Sequence, residues 1–286
     1  MPKYIDIHSH INFKAFDEDR DEVINRALEN DTWVINVGTQ YDTSAKAVRM
    51  TNDYKEGVYA CIGLHPIHTG ASYHDEKELG PEGKEFTSRG EIFNKEKYRE
   101  LAKLGKVVGI GECGLDYYRC TKESIEKQRV AFLEQIELAN ELDVPLMLHI
   151  RNNDEDNSRN AYSDALDILK KHAKVKGVSH FFAGSLEDAK AFIDFGYYIS
   201  FSGAITFPPR KNGRGCDYAN IIKNIPIEKI MADTDSPYVA PVPYRGKRNE
   251  SVYVKEIVKK IAEIKGLNME ETIEIIASNI KTLFDI

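Results

Sequence analysis

Eight short runs rich in β-branched and apolar residues recur along this chain, at residues 4–8, 33–37, 58–63, 107–111, 144–149, 177–181, 197–201 and 230–233, and six of them end on, or within two residues of, a histidine or an acid. Stretches with helical periodicity lie between most of them, at 17–30, 43–54, 91–104, 124–142, 161–174, 185–195 and, more briefly, 218–223, with two more at 250–265 and 269–278. The first of these sets Val23, Ile24, Ala27 and Leu28 on one face, and Ser185 followed by Asp188 is a helix-start signature. Strands alternating with helices in this number predict an α/β chain closed into a parallel (β/α)8 barrel, the TIM barrel. The competing open, doubly wound sheet usually carries a glycine-rich phosphate loop after its first strand. Here the first strand runs into His8 and His10 instead. Length allows one large domain or two smaller ones, but no linker interrupts the alternation, so a single domain over residues 1–286 is expected.

In such a barrel the C-terminal strand ends converge on one face. That places His8, His10, His65, Glu112, His149, His180 and Asp235 together, and leaves His68, His74 and His172 in polar or helical surroundings. Glu112 is the most telling of them. It follows the uncharged run 107–111 and stands between Gly111 and Gly114. A carboxylate there is costly unless positive charge meets it, and a metal ion is one way to supply that charge. Each carboxylate oxygen can take one ion, so Glu112 could bridge two metals about 3.5–4 Å apart. The plainer alternative is a carboxylate accepting backbone N–H bonds in a glycine turn.

The other residues carry similar pairs of readings. His8 and His10, two apart in extended chain, face the same way and could share an ion, or be an ordinary pair of surface histidines. His149 and His180 taken singly read as satisfied core histidines; their shared strand-end position favours a site. Asp235 could ligate a metal and take a proton from water, or form a turn before Pro237. Asp233 reads as a strand-end group behind it. His65, before Pro66, could hydrogen-bond a phosphate oxygen or only stabilise its loop.

Net charge is −7, so no global positive field draws in nucleic acid, and any polyanion must be held locally. Two basic clusters could do so: Arg210, Lys211 and Arg214, then Arg245, Lys247 and Arg248. Both follow the seventh and eighth strands, whose loops most often bind phosphate in such barrels, although charge runs are usually solvated faces. Tyr244 beside the second cluster could stack on a base. The four cysteines show no CxxC spacing, which argues for reduced thiols rather than a disulfide framework or zinc knuckle. No secretory pattern opens the chain and no apolar run approaches the ~18–20 residues of a membrane span. A cytoplasmic, membrane-free monomer is the expectation.

Taken in order, the segments Ile7-His8-Ser9-His10, Gly63-Leu64-His65-Pro66, Gly111-Glu112-Cys113-Gly114-Leu115-Asp116-Tyr117, Leu148-His149, His180-Phe181-Phe182-Ala183-Gly184-Ser185, Asp233-Thr234-Asp235-Ser236-Pro237-Tyr238 and Tyr244-Arg245-Gly246-Lys247-Arg248-Asn249 resemble the TatD family of metal-dependent deoxyribonucleases. The tail from Ala277 to Phe284 also looks like the family's closing helix. The resemblance spans nearly the whole chain. It implies a barrel of the amidohydrolase type with two divalent ions, one held by His8, His10 and Asp235, the other by His149 and His180, with Glu112 bridging. Departures from the family pattern fall at Phe181 or Phe182, Ala183, Asp233 and Ser251, and none removes a proposed ligand. The loops at 69–90, 151–160 and 207–217 look longer than usual and border the expected mouth.

The chemistry expected is hydrolysis of DNA phosphodiesters, with 3′-5′ exonuclease action on strand ends or short oligonucleotides. The cations would lower the pKa of bound water and offset phosphate charge. Asp235 would serve as base, with Glu112 and His65 also in the catalytic set. His65, Arg210, Lys211, Tyr244, Arg245 and Lys247 would contact substrate. Cellular availability favours Mg²⁺, while the histidine-rich set also suits Mn²⁺ or Zn²⁺. A rival reading is an amidohydrolase acting on C–N, lactone or phosphoester bonds of small molecules. Many such sites bridge their metals with a modified lysine on strand four, where this chain has Glu112. A third reading, a metal-binding barrel without catalysis, is disfavoured by the intact ligand set.

Overall fold

The computed structural model describes residues 2–74, 86–153, 159–208 and 215–286. Among them, eight parallel strands form one sheet in chain order: β1 (Tyr4–Ser9), β2 (Thr32–Val37), β3 (Val58–Ile62), β4 (Val107–Asp116), β5 (Leu146–Arg151), β6 (Gly177–Ser179), β7 (Tyr198–Phe201) and β8 (Ile230–Ala232). Parallel strands covered by crossover helices are buried on both faces, which is why they read as continuous apolar runs rather than alternating ones. Ile7, Ile35, Ile62, Ile110, Leu148 and Ile199 are accordingly fully enclosed. Helices α1 (Arg20–Glu29), α2 (Tyr41–Thr51), α3 (Lys95–Ala102), α4 (Lys122–Leu142), α5 (Ala161–His172), α6 (Leu186–Asp194) and α7 (Tyr218–Asn224) make the outer ring, and α8 (Val254–Lys265) and α9 (Met269–Phe284) follow β8. The expected TIM barrel is therefore the fold.

The barrel is nearly closed. No ladder joins β8 to β1; the seam is a single parallel bridge between Ser9 and Ser236. The Asp235 N–H donates to the His8 carbonyl at 2.9 Å, and the His10 N–H to the Ser236 carbonyl at 2.7 Å. Below it, the enclosed Asp6 carboxylate accepts from the Thr234 N–H at 2.8 Å and the Thr234 hydroxyl at 2.6 Å. Sequence-distant Asp6 and Thr234 thus tie the first strand to the loop after the last.

Several boundaries differ from the sequence reading. β4 runs five residues beyond Gly111, to Asp116, because its partner β5 continues alongside it: Cys113, Gly114, Leu115 and Asp116 pair with Leu148, His149, Ile150 and Arg151. Helix α3 starts at Lys95 rather than 91, since Asn94 caps it by accepting from the Lys97 N–H at 3.0 Å. Glu91 instead accepts hydrogen bonds from the Tyr41 N–H and the Tyr98 hydroxyl. Helix α9 reaches Phe284, not 278. Ile280, Leu283 and Phe284 are buried, and the Asn279 amide donates to the Ile227 and Ile230 carbonyls at 2.9 and 2.8 Å. The 69–90 segment holds a short antiparallel pair, Ser72–His74 with Phe86–Ser88. The Ser185–Asp188 capping box forms as expected. No helix among the described residues is long and apolar enough to cross a membrane.

Candidate metal centre

The site is assembled from strand ends, and Glu112 stands at its middle. Three residues of β4, from Ile110 to Cys113, advance against two of β5, from Leu146 to Leu148. Such an irregularity re-aims a side chain. The flanking glycines permit it: a Cβ on Gly111 (φ +154°) would lie 2.3 Å from the Met147 carbonyl oxygen, and one on Gly114 (φ +140°) 2.1 Å from that of His149. Only glycine lets β5 lie this close on both sides of the carboxylate.

The two oxygens of Glu112 face different imidazoles. Oε2 lies 3.5 Å from His8 Nε2 and 3.7 Å from His10 Nε2. Oε1 lies 2.9 Å from His149 Nδ1, 2.8 Å from His180 Nε2 and 3.3 Å from His65 Nε2. Asp235 completes the first side, its Oδ1 3.4 Å from His10 Nε2 and 3.8 Å from His8 Nε2. It occupies the left-handed region (φ +53°) just past β8, a conformation that Asp tolerates better than most residues. The Asn249 amide pins this turn by donating to the Thr234 and Tyr238 carbonyls, each at 2.7 Å. The rings are braced as well. His8 stacks on His180 at 3.6 Å, and His10 on Phe13 at 4.4 Å. His10 Nδ1 sits 2.9 Å from the Val37 carbonyl, so it donates there and leaves Nε2 to the site.

The electrostatics follow from burial opposed by pairing. Burial alone would raise Glu112, but the surrounding imidazoles of His65, His180 and His8 and the hydrogen bond from His149 hold it well below the usual carboxylate range. Burial also raises Asp235, and the His10 hydrogen bond with the neighbouring imidazoles brings it below its ordinary value. Burial and the charge of His180 push His8 down to about 3, so it stays neutral. Burial likewise lowers His65, helped by the charge of His149. Against burial, hydrogen bonds to Asp116 and Glu112 lift His149 to about 10. Behind the cluster, burial raises Asp233 to about 6, and its Oδ2 accepts from the Ser200 hydroxyl and the Phe181 N–H.

The donor set fits divalent cations. Three overlapping sets of ligand atoms lie within 4.8 Å of one another: His8, His180 and Asp235; His8, His10 and Glu112; and His65, Glu112 and His149. Imidazole and carboxylate donors without thiolates suit Mg²⁺, Mn²⁺ or Zn²⁺ rather than soft metals. His65 differs from the others. Its Nδ1 accepts from the Ile67 N–H at 3.2 Å, which puts the proton on Nε2 and makes that atom a donor toward Glu112.

The expected substrate contacts fare unevenly. Arg245 and Lys247 are exposed, and Arg245 lies 4.4 Å over the Phe207 ring. Tyr244 already stacks on Tyr253 at 3.8 Å and 7°, so one ring face is taken. Arg248 serves the fold: it donates to the Ala15 carbonyl at 2.8 Å and to Asp19 at 2.9 Å. Arg210, Lys211 and Arg214 lie outside the described residues. Sequence reasoning missed Asp116, whose Oδ2 is 2.8 Å from His149 Nε2. The uncharged run read from local sequence ends at Gly111. Extended chain through residue 116 would have put Asp116 on the same face as Glu112.

Residues 5–285 match the family model described as TatD related DNase. The chain belongs to the TatD family. YabD of Bacillus subtilis (strain 168), named an uncharacterized metal-dependent hydrolase, is 35% identical over 284 residues, covering 98% of both chains. YcfH of Escherichia coli (strain K12), named in the same way, is 30% identical over 288 residues, covering 99% of this chain and 96% of its own. In shape, the crystal structure of YJJV, a TatD homologue from Escherichia coli K12, superposes with a TM-score of 0.78 at 24% identity, covering 99% of this chain and 98% of its own. This TatD chain is thus a member of a metal-dependent hydrolase family, with a histidine–carboxylate cluster able to bind metal at the mouth of its barrel.

Proposed function

We propose that this chain hydrolyses DNA phosphodiester bonds as a 3′-5′ exonuclease, using two divalent cations, Mg²⁺ in the cell. The observation that carries the reading is the division of Glu112, whose Oε2 faces His8 and His10 while Oε1 faces His149, His180 and His65. A carboxylate shared in this way suits a bridge between one ion held with His8, His10 and Asp235 and another held with His149 and His180. Bound cations would supply Lewis acidity toward phosphate and water.

The chain's own groups then have separable tasks. Asp235, ionised and partly open to solvent, accepts the proton from the attacking water and later delivers it to the leaving oxygen. His65, neutral and protonated on Nε2, donates a hydrogen bond to a phosphate oxygen. Arg245 and Lys247, exposed on the loop after β8, hold the neighbouring phosphates, and the free face of Tyr244 takes a terminal base. The net charge of −7 suits a strand end better than a long duplex.

The test is a single-stranded oligonucleotide labelled at its 3′ or its 5′ end, incubated with Mg²⁺, Mn²⁺, Zn²⁺ or EDTA beside Glu112→Ala. Metal-dependent shortening from the 3′ end, absent in the variant, is expected. An enzyme with metal bound that leaves DNA intact but cleaves small lactones or phosphoesters would overturn the nuclease reading.

A further inference from the structure

We propose that Asp116 is a positioning residue that fixes His149 so that only its Nδ1 is offered to a metal ion. The inference rests on the two-ion reading above for what is bound, and on observed contacts for how the imidazole is held. His149 is contacted from both ends. Nδ1 lies 2.9 Å from Glu112 Oε1, and Nε2 lies 2.8 Å from Asp116 Oδ2. An ionised carboxylate has lone pairs but no proton to give. Its place opposite Nε2 therefore requires a proton on Nε2; Glu112 holds one on Nδ1 in the same way, but a cation seated against Glu112 would displace the Nδ1 proton while Asp116 keeps the one on Nε2. His180 is held differently. It presents Nε2 to the same Glu112 oxygen at 2.8 Å, and its buried Nδ1 has no hydrogen-bond partner among the described residues.

Asp116 is itself built into the fold. Its carboxylate is 4% exposed in side-chain area, and the oxygen not facing His149 accepts from the Tyr118 N–H at 2.9 Å. The buried Gln128 side chain of α4 grips its backbone from behind, accepting from the Asp116 N–H at 2.8 Å and donating to the Asp116 carbonyl at 2.9 Å. A chain of contacts runs from α4 through Asp116 and His149 to Glu112. None of the seven strand-end residues expected from sequence performs this service, and a carboxylate behind a ligating histidine both orients the ring and raises its basicity.

The experiment titrates Mn²⁺ into the metal-free full-length protein, counting bound ions and following the spin-coupled signal of a bridged pair by electron paramagnetic resonance. Wild type, Asp116→Ala, Asp116→Asn and His149→Ala are compared. Asp116→Ala is expected to weaken one ion about 10–100-fold and abolish the coupled signal, while the other ion binds as in wild type. Asp116→Asn, which keeps an acceptor but not the charge, should fall between. Unchanged affinity for both ions in Asp116→Ala would overturn the proposal. So would equal weakening of both ions, which would mark a general loss of structure.

A second measurement separates failure of this inference from failure of the two-ion reading. If wild type takes up fewer than two ions, that reading falls. The ¹⁵N spectrum of histidine-labelled metal-free protein still decides Asp116. A slowly exchanging proton on His149 Nε2 that is lost in Asp116→Ala supports the assignment, and identical spectra refute it.

Discussion

Metal binding to this site should release protons, and the amount is set by the geometry. A ligating imidazole must give up the proton on the nitrogen it offers. His149 is lifted to about 10 by its two carboxylate neighbours, so in the metal-free protein it is fully protonated near neutral pH. His8, held at about 3 by burial, has no proton to lose. At about pH 7.5, displacing the His149 proton costs about 3.4 kcal/mol, or about 300-fold in affinity. The apparent affinity of the ion that uses His149 should therefore rise about tenfold per pH unit from about pH 7 to about pH 9, flattening near pH 10. The sign is that of competition, with protons and cations contending for one lone pair. Calorimetric titration with Mn²⁺ in buffers of different ionisation enthalpy reads the released protons directly, and about one is expected from His149. His10, raised by its hydrogen bond to Asp235 against the effect of burial, adds to the count for its own ion. Zero proton release, or an affinity flat over that pH range, would refute the assignment of His149 as a charged residue that must be deprotonated to ligate.

Three further outcomes follow from the seam and the rim. Burial raises Asp6 to about 7 from 3.8. The folded chain thus keeps a proton that the unfolded chain loses, and stability should fall as pH rises from about 4 to 7 by up to about 4 kcal/mol, then level off. Asp6→Asn should flatten that stretch of the urea-derived stability curve, and an unchanged slope would rule out Asp6 as its source. Arg245→Ala should raise KM for an oligonucleotide several-fold in a salt-dependent way, with kcat little changed. Arg248→Ala should instead cost about 1–2 kcal/mol of stability, seen as a lower Tm with KM unmoved, because its guanidinium is committed to Ala15 and Asp19.

What could be read from the sequence, and what could not, divides along a physical line. The strand ends were legible because a charged or imidazole side chain after a buried apolar run is an anomaly that local sequence exposes. His8, His149, His180 and Glu112 each carry that signature, and a parallel barrel then brings all strand ends to one face. Residues whose task depends on register were hidden. Asp116 looked like loop because two glycines interrupt the run, and nothing local says that β5 continues beside it as far as Arg151. Asp6 read as part of a strand, and its bond to Thr234, 228 residues away, exists only once the barrel curls round. The basic cluster after β8 misled in the opposite direction. Three cations in one loop suggested one role, yet Arg248 is drawn back onto the β1–α1 connection while Arg245 and Lys247 remain at the surface. Charge alone does not distinguish a residue that greets a phosphate from one that fastens a loop; the carboxylate of Asp19 does. The same distinction separates His65 from the histidines that resemble it. Its place beside Glu112 would suit a ligand, but the Ile67 N–H claims its Nδ1 lone pair and turns Nε2 into a donor. At this mouth, the partner on the far side of each side chain decides what its near side can do.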